Sequence, residues 1–85
     1  MIIVSQDRKM IVNFRNVENI KIRELSANES GYAVSVETFT SDFDRFAIYD
    51  TEERAKEVLA EITEFWKDGA MTDCRGFICY EMPED

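Results

Sequence analysis

The chain has 85 residues, 18 acidic against 10 basic side chains, a net charge of −8 and no histidine. That length supports one core, so a single domain over residues 1 to 85 is expected, and no apolar run reaches the roughly 18 residues a membrane helix needs. The acidic excess lies mostly in residues 51 to 85, with ten acids against four bases, and lacks the basic footprint that direct nucleic-acid binding requires.

Along the chain, Met1 to Ser5 is a short run of β-formers without a basic leader or cleavage site, which predicts a strand and a cytoplasmic location. The polar stretch Gln6-Asp7-Arg8-Lys9 and the apolar resumption Met10-Ile11-Val12-Asn13-Phe14 then read as a hairpin. Ile20 and Ile22 alternate with Lys21 and Arg23, the pattern of a strand with one wet face. After the polar stretch Ser26 to Gly31, Tyr32, Val34 and Val36 alternate in the same way, and past a turn at Ser41-Asp42 the residues Phe46 and Ile48 are expected to point inward from a strand ending at Tyr49.

A helix follows over residues 50 to 68. Asp50 reads as its N-cap, with Glu53 three residues on as the returning partner of a capping box. Ala55, Val58, Leu59, Ile62, Phe65 and Trp66 recur at helical period as an apolar stripe, and Gly69 reads as a left-handed stop. Phe77-Ile78-Cys79-Tyr80 predicts a short C-terminal strand, either returning to the sheet or pairing with another chain, and residues 81 to 85 a fraying tail. The expected fold is therefore α+β: an antiparallel β-meander of four to five strands, one amphipathic helix packed on one face, and a short C-terminal strand.

Few residues carry recognisable chemistry. Cys74 and Cys79 are five apart, which is neither a redox nor a zinc spacing, and without histidine no metal or cofactor is expected. Asp42 and Asp44 beside Arg45 could form an acidic site, but carboxylates two apart near a turn ordinarily serve turn chemistry, so no enzyme activity is expected. On the helix, Glu53, Glu57, Glu61, Glu64 and Asp68 are spaced 4, 4, 3 and 4, giving one acidic strip turned away from the apolar stripe. Arg54 borders that strip, while Lys56 and Lys67 read as lying on another side. The strip is either a solvated face or a surface for a basic protein, including an acidic decoy or inhibitor of a DNA-binding protein. Trp66 reads as the end of the core or as an interface anchor.

A small sheet with one covering helix leaves a face and edges exposed, with Val4, Val12, Phe39 and Phe43 adding apolar surface. Homo-oligomerisation would cover them. The leading expectation is thus a non-enzymatic, self-associating protein–protein interaction module.

The segments Ile2-Ile3-Val4-Ser5-Gln6-Asp7, Ile11-Val12-Asn13-Phe14-Arg15-Asn16-Val17, Tyr49-Asp50-Thr51-Glu52-Glu53-Arg54-Ala55-Lys56-Glu57-Val58-Leu59 and Tyr80-Glu81-Met82-Pro83-Glu84 resemble a group of small uncharacterised proteins of phages and mobile elements of Gram-positive gut bacteria. The resemblance implies a cytoplasmic, mobile-element setting and no functional residues. The order of strands then helix also resembles a pleckstrin-homology-like barrel a strand or two short.

Overall fold

In the computed structural model, residues 2–26, 28–71 and 79–85 are described, and of 68–71 only the backbone. Strands β1 (Ile2–Val4) and β2 (Ile11–Asn13) form the expected antiparallel hairpin. Its loop is closed by Ser5, whose amide donates to the Met10 carbonyl at 2.9 Å and whose hydroxyl donates to Asp7 at 2.6 Å. That bond, with one from the Lys9 amide, holds the Asp7 carboxyl below its ordinary pKa. A single 3-10 turn, Phe14–Asn16, leads into β3 (Val17–Glu24), which pairs antiparallel with β4 (Tyr32–Thr38), and β4 pairs antiparallel with β5 (Asp42–Tyr49). One helix, α1 (Glu52–Met71), and a last strand, β6 (Cys79–Glu81), complete an α+β fold.

The strands divide into two sheets, β2-β1-β6 and β3-β4-β5. The C-terminal strand returns to the molecule, and it runs parallel to β1 rather than extending an antiparallel meander. Of the residues 77 to 80 read as this strand, 77 and 78 lie outside the described residues. The helix packs against β3, β4 and β5, and one core joins it to both sheets: Ile3, Val12 and Tyr80 from the first, Val34, Val36, Phe46, Ala47 and Tyr49 from the second, Ala55, Val58 and Ile62 from α1.

Three local expectations are corrected. In β5, three residues separate Phe43 from Ala47 where β4 has Ser35 alone between Val36 and Val34, and this irregularity breaks the alternation. Phe46 is buried as expected, but Ala47 and Tyr49 continue the core face, while Ile48, paired with Ala33, turns to the other face. At the helix start Thr51 is the cap: its hydroxyl accepts from the Arg54 amide at 3.1 Å, and its carbonyl takes the first helical bond, from Ala55. Asp50 and Thr51 are both capping residues, and with Arg54 as the third residue of the helix the box through Glu53 does not form. Gly69 does not stop the helix, which runs through it to Met71.

The tail is the largest correction, because residues 82 to 85 are held in place. Met82 is fully buried and its amide extends the β1–β6 pairing to the Val4 carbonyl at 3.0 Å. The Pro83 carbonyl accepts from the Tyr49 hydroxyl at 2.8 Å, the Met82 carbonyl from Arg8 at 2.8 Å, and the Asp85 carbonyl from Arg54 at 3.1 Å. Burial pushes the Tyr49 phenol up to about 12.

Gln6 ties the hairpin, β5 and the tail together. Its backbone amide donates to the Phe46 carbonyl at 3.0 Å. Its side-chain carbonyl accepts from the Ile48 amide at 2.8 Å, and its side-chain amino group lies 2.9 Å from the Ile48 carbonyl, 3.1 Å from that of Pro83 and 2.8 Å from that of Glu84. A primary amide thereby occupies the free edge of β5 as a neighbouring strand would.

Gly31, between β3 and β4, has φ +122°, and a Cβ there would sit 2.8 Å from the Tyr49 carbonyl oxygen. Both conditions exclude a side chain. Gly31→Ala is expected to lose about 1–3 kcal/mol, read by circular dichroism as a fall of roughly 4–8 °C in Tm per kcal/mol. An unchanged midpoint would contradict the close approach.

Candidate functional site

The apolar stripe of α1 outruns the core. At 1.5 Å per residue the 20-residue helix is about 30 Å long, and the buried part of its stripe ends at Ile62. Phe65 lies with its ring edge on Tyr80, centroids 5.5 Å apart, whereas Trp66 is 49% exposed. Trp66 does not end the core; it overhangs it.

Beneath Trp66 runs a groove of about 420 Å³ between α1 and β3. Leu59, Ile62, Thr63 and Trp66 form its helical wall, and Phe14, Val17, Glu18, Asn19 and Ile20 the opposite one. Four consecutive residues of β3 line it, so the strand presents its edge as well as one face. β3 is bonded on one side only, to β4. Unpaired backbone groups beside an apolar trough are the elements a further strand would use. Glu18 is the single charged side chain in the lining and makes no ion pair among the described residues.

The acidic strip is more compensated than its spacing implies. Arg54 lies 3.2 Å from Glu57 and 3.7 Å from Glu61, and sits 5.8 Å from the centre of the Tyr49 ring. The Tyr80 hydroxyl donates to Glu61 at 2.8 Å; burial first, then that bond, raises the Tyr80 pKa well above its ordinary value. Lys67, read from the sequence as lying elsewhere, reaches Glu64 at 3.8 Å, because residues three apart are neighbours on a helix. Glu53 has no counter-charge among the described residues, and the side chain of Asp68 lies outside them. Glu57, Glu61 and Glu64 thus already hold cations or a hydroxyl, which lowers their value as a bare anionic line.

The remaining candidates do not converge. Asp44 pairs with Arg23 at 3.0 Å, Arg45 pairs with Glu29 at 2.6 Å, and Asp42 is exposed. Arg45 lowers the Glu29 pKa, and Lys21 followed by Asn19 lowers that of Glu37. These carboxylates shift down and the tyrosines shift up, away from the neutral range where general acid–base catalysis operates. Cys79 is exposed on β6 with a free thiol, and Cys74 lies outside the described residues. Among the described residues no group of three or more histidine, cysteine, aspartate or glutamate side chains is placed to hold a metal ion, and no helix is long and apolar enough to cross a membrane.

Comparison with known proteins matched no family model, no curated protein and no solved structure. The site therefore rests on its geometry. Of that site, Trp66 was visible as an aromatic closing the stripe, but the β3 wall was not. Its only signal was the alternation of Ile20 and Ile22 with Lys21 and Arg23, which marks a half-buried strand without saying what lies beside its edge.

Proposed function

We propose that the chain is a non-enzymatic protein–protein interaction module that self-associates and takes an extended, apolar segment of a basic partner into the groove between α1 and β3. The observation that carries the reading is a half-exposed tryptophan standing over an apolar trough whose far wall is an unpaired strand edge. In strand addition the main-chain bonds supply affinity and alternate side chains supply specificity. The chemistry of the occupant follows from charge: Glu18 is the lining charge, and a net charge of −8 favours encounter with cations over long range. Trp66 has the area and the indole N–H of a typical interface anchor.

Trp66 is the only tryptophan, so intrinsic fluorescence reports on the groove directly. Screening a random peptide library should enrich sequences that alternate apolar residues and carry lysine or arginine. Their titration should shift the Trp66 emission to the blue. Trp66→Ala should weaken binding about tenfold or more, measured by calorimetry because the fluorophore is gone, and Glu18→Lys should remove the preference for a basic residue. Peptides that bind equally well to Trp66→Ala would overturn the assignment of the groove.

A further inference from the structure

The free edge of β3 has a fixed register of open backbone groups. Ile48 on β5 gives both its amide and its carbonyl to the Gln6 side chain, outward from the sheet. Ala33, directly opposite Ile48, therefore turns its backbone groups the other way, toward Arg23 of β3. Leu25, two residues further along, has the same sense, since its amide donates to the Gly31 carbonyl at 3.0 Å. By alternation, Ile20, Ile22 and Glu24 aim their amides and carbonyls at the open edge, where none of them has a partner among the described residues.

Side chains alternate in step with the backbone, so these three residues also share one face of the strand. Ile20 and Ile22 are half-buried against the core, and Glu24 is exposed. Glu18, inside the irregularity between Val17 and Asn19, lines the groove together with Ile20. The groove side of the edge thus reads acid, apolar, apolar, acid at Glu18, Ile20, Ile22 and Glu24. Neither acid makes an ion pair among the described residues. On the opposite face, Lys21 is held by Glu37 at 3.1 Å and Arg23 by Asp44 at 3.0 Å. The uncompensated charge of this edge is therefore negative and lies on the side of α1.

Open amides and carbonyls select an extended backbone, and the side chains between them select what that backbone carries. We infer that the occupant of the groove, on the reading proposed above, is a β-strand of pattern basic–x–apolar–x–apolar–x–basic that pairs with Ile20, Ile22 and Glu24. Its apolar residues lie beside Ile20 and Ile22, its basic ones meet Glu18 and Glu24, and the intervening residues are uncharged beside Lys21 and Arg23. Glu24 is then a specificity-determining residue beyond the groove lining itself.

Blocked synthetic heptapeptides test this pattern. Lys-Thr-Val-Thr-Val-Thr-Lys should shift the Trp66 emission of the wild type to the blue. In exchange measured by nuclear magnetic resonance, it should slow the Ile20, Ile22 and Glu24 amides about tenfold or more, while the Lys21 and Arg23 amides, already directed at β4, stay unchanged. Glu24→Lys, an exposed change, should cut affinity for this peptide about fivefold and raise it for one of the two peptides with glutamate at a single end. Library peptides that need Trp66 but leave those amides unprotected, or that bind Glu24→Lys as tightly as wild type, overturn the pairing with β3 and leave the groove assignment standing. A groove that takes library peptides but not the lysine heptapeptide overturns the pattern alone. If no peptide binds, both proposals fail. Amides already protected in the free protein and exposed on dilution would make a second copy the occupant and overturn the basic strand.

Discussion

Truncation after Glu81 is expected to unfold the protein, although it removes only four residues of polar appearance. Met82 is fully buried among side chains of both sheets and the helix, and deleting a buried methionine side chain costs about 2–5 kcal/mol. Truncation also strips the Tyr49 hydroxyl of its acceptor, frees Arg8 from the Met82 carbonyl and removes two acceptors from Gln6. Partly buried polar groups left unpaired cost roughly 1–3 kcal/mol each. A domain of this size has about 4–13 kcal/mol in total, so the loss consumes most of it. Met82→Ala isolates the packing part and should lower Tm by roughly 10–25 °C, whereas Met82→Leu, which conserves volume, should cost less than about 1.5 kcal/mol. Equal midpoints for Met82→Ala and wild type in thermal denaturation would show that the tail does not belong to the core.

The reason the tail was misread also sets the limit of what the sequence made legible. Periodicity reveals which residues share a face, and it located the hairpin, β3, β4 and the buried part of α1 at Ala55, Val58 and Ile62. It does not reveal partners. Glu81-Met82-Pro83-Glu84-Asp85 has too few apolar residues to signal order, and Met82 is buried because Val4, more than 70 positions away, accepts its amide. The same limit hid the division into two sheets, since a three-residue strand such as β6 pairs equally well with any free edge. It also hid the functional surface. The stripe continues at helical period to Phe65 and Trp66, but where the core beneath it ends is decided by β3, β4 and β5. The acidic strip was visible as a spacing, and its compensation by Arg54, Lys67 and Tyr80 depended on side-chain reach and on a strand distant in sequence.

Gln6→Ala should be the most damaging change to a single polar side chain. It leaves the Ile48 amide and carbonyl without protein partners on the edge of β5 and releases the Pro83 and Glu84 carbonyls, for an expected loss of about 2–3 kcal/mol in chemical denaturation. Gln6→Glu should be worse at neutral pH, because its carboxylate keeps the bond from the Ile48 amide but faces three carbonyl oxygens with no hydrogen to offer. That environment raises the folded-state pKa of the new carboxyl above its unfolded value of about 4.3. The folded state then binds more protons than the unfolded one in the interval between the two values, so unfolding free energy falls as pH rises through it. The deficit of Gln6→Glu relative to wild type should therefore narrow as pH is lowered toward 4.3 or so, while Gln6→Ala keeps a constant deficit. Parallel pH profiles for the two variants would refute this account of the side chain. A second consequence concerns assembly: uncovering β5 adds a bare strand edge to those of β2 and β3, and exposed edges pair indiscriminately. Both Gln6 variants should gain concentration-dependent light scattering that the wild type does not show, because it arises at the uncovered edge of β5.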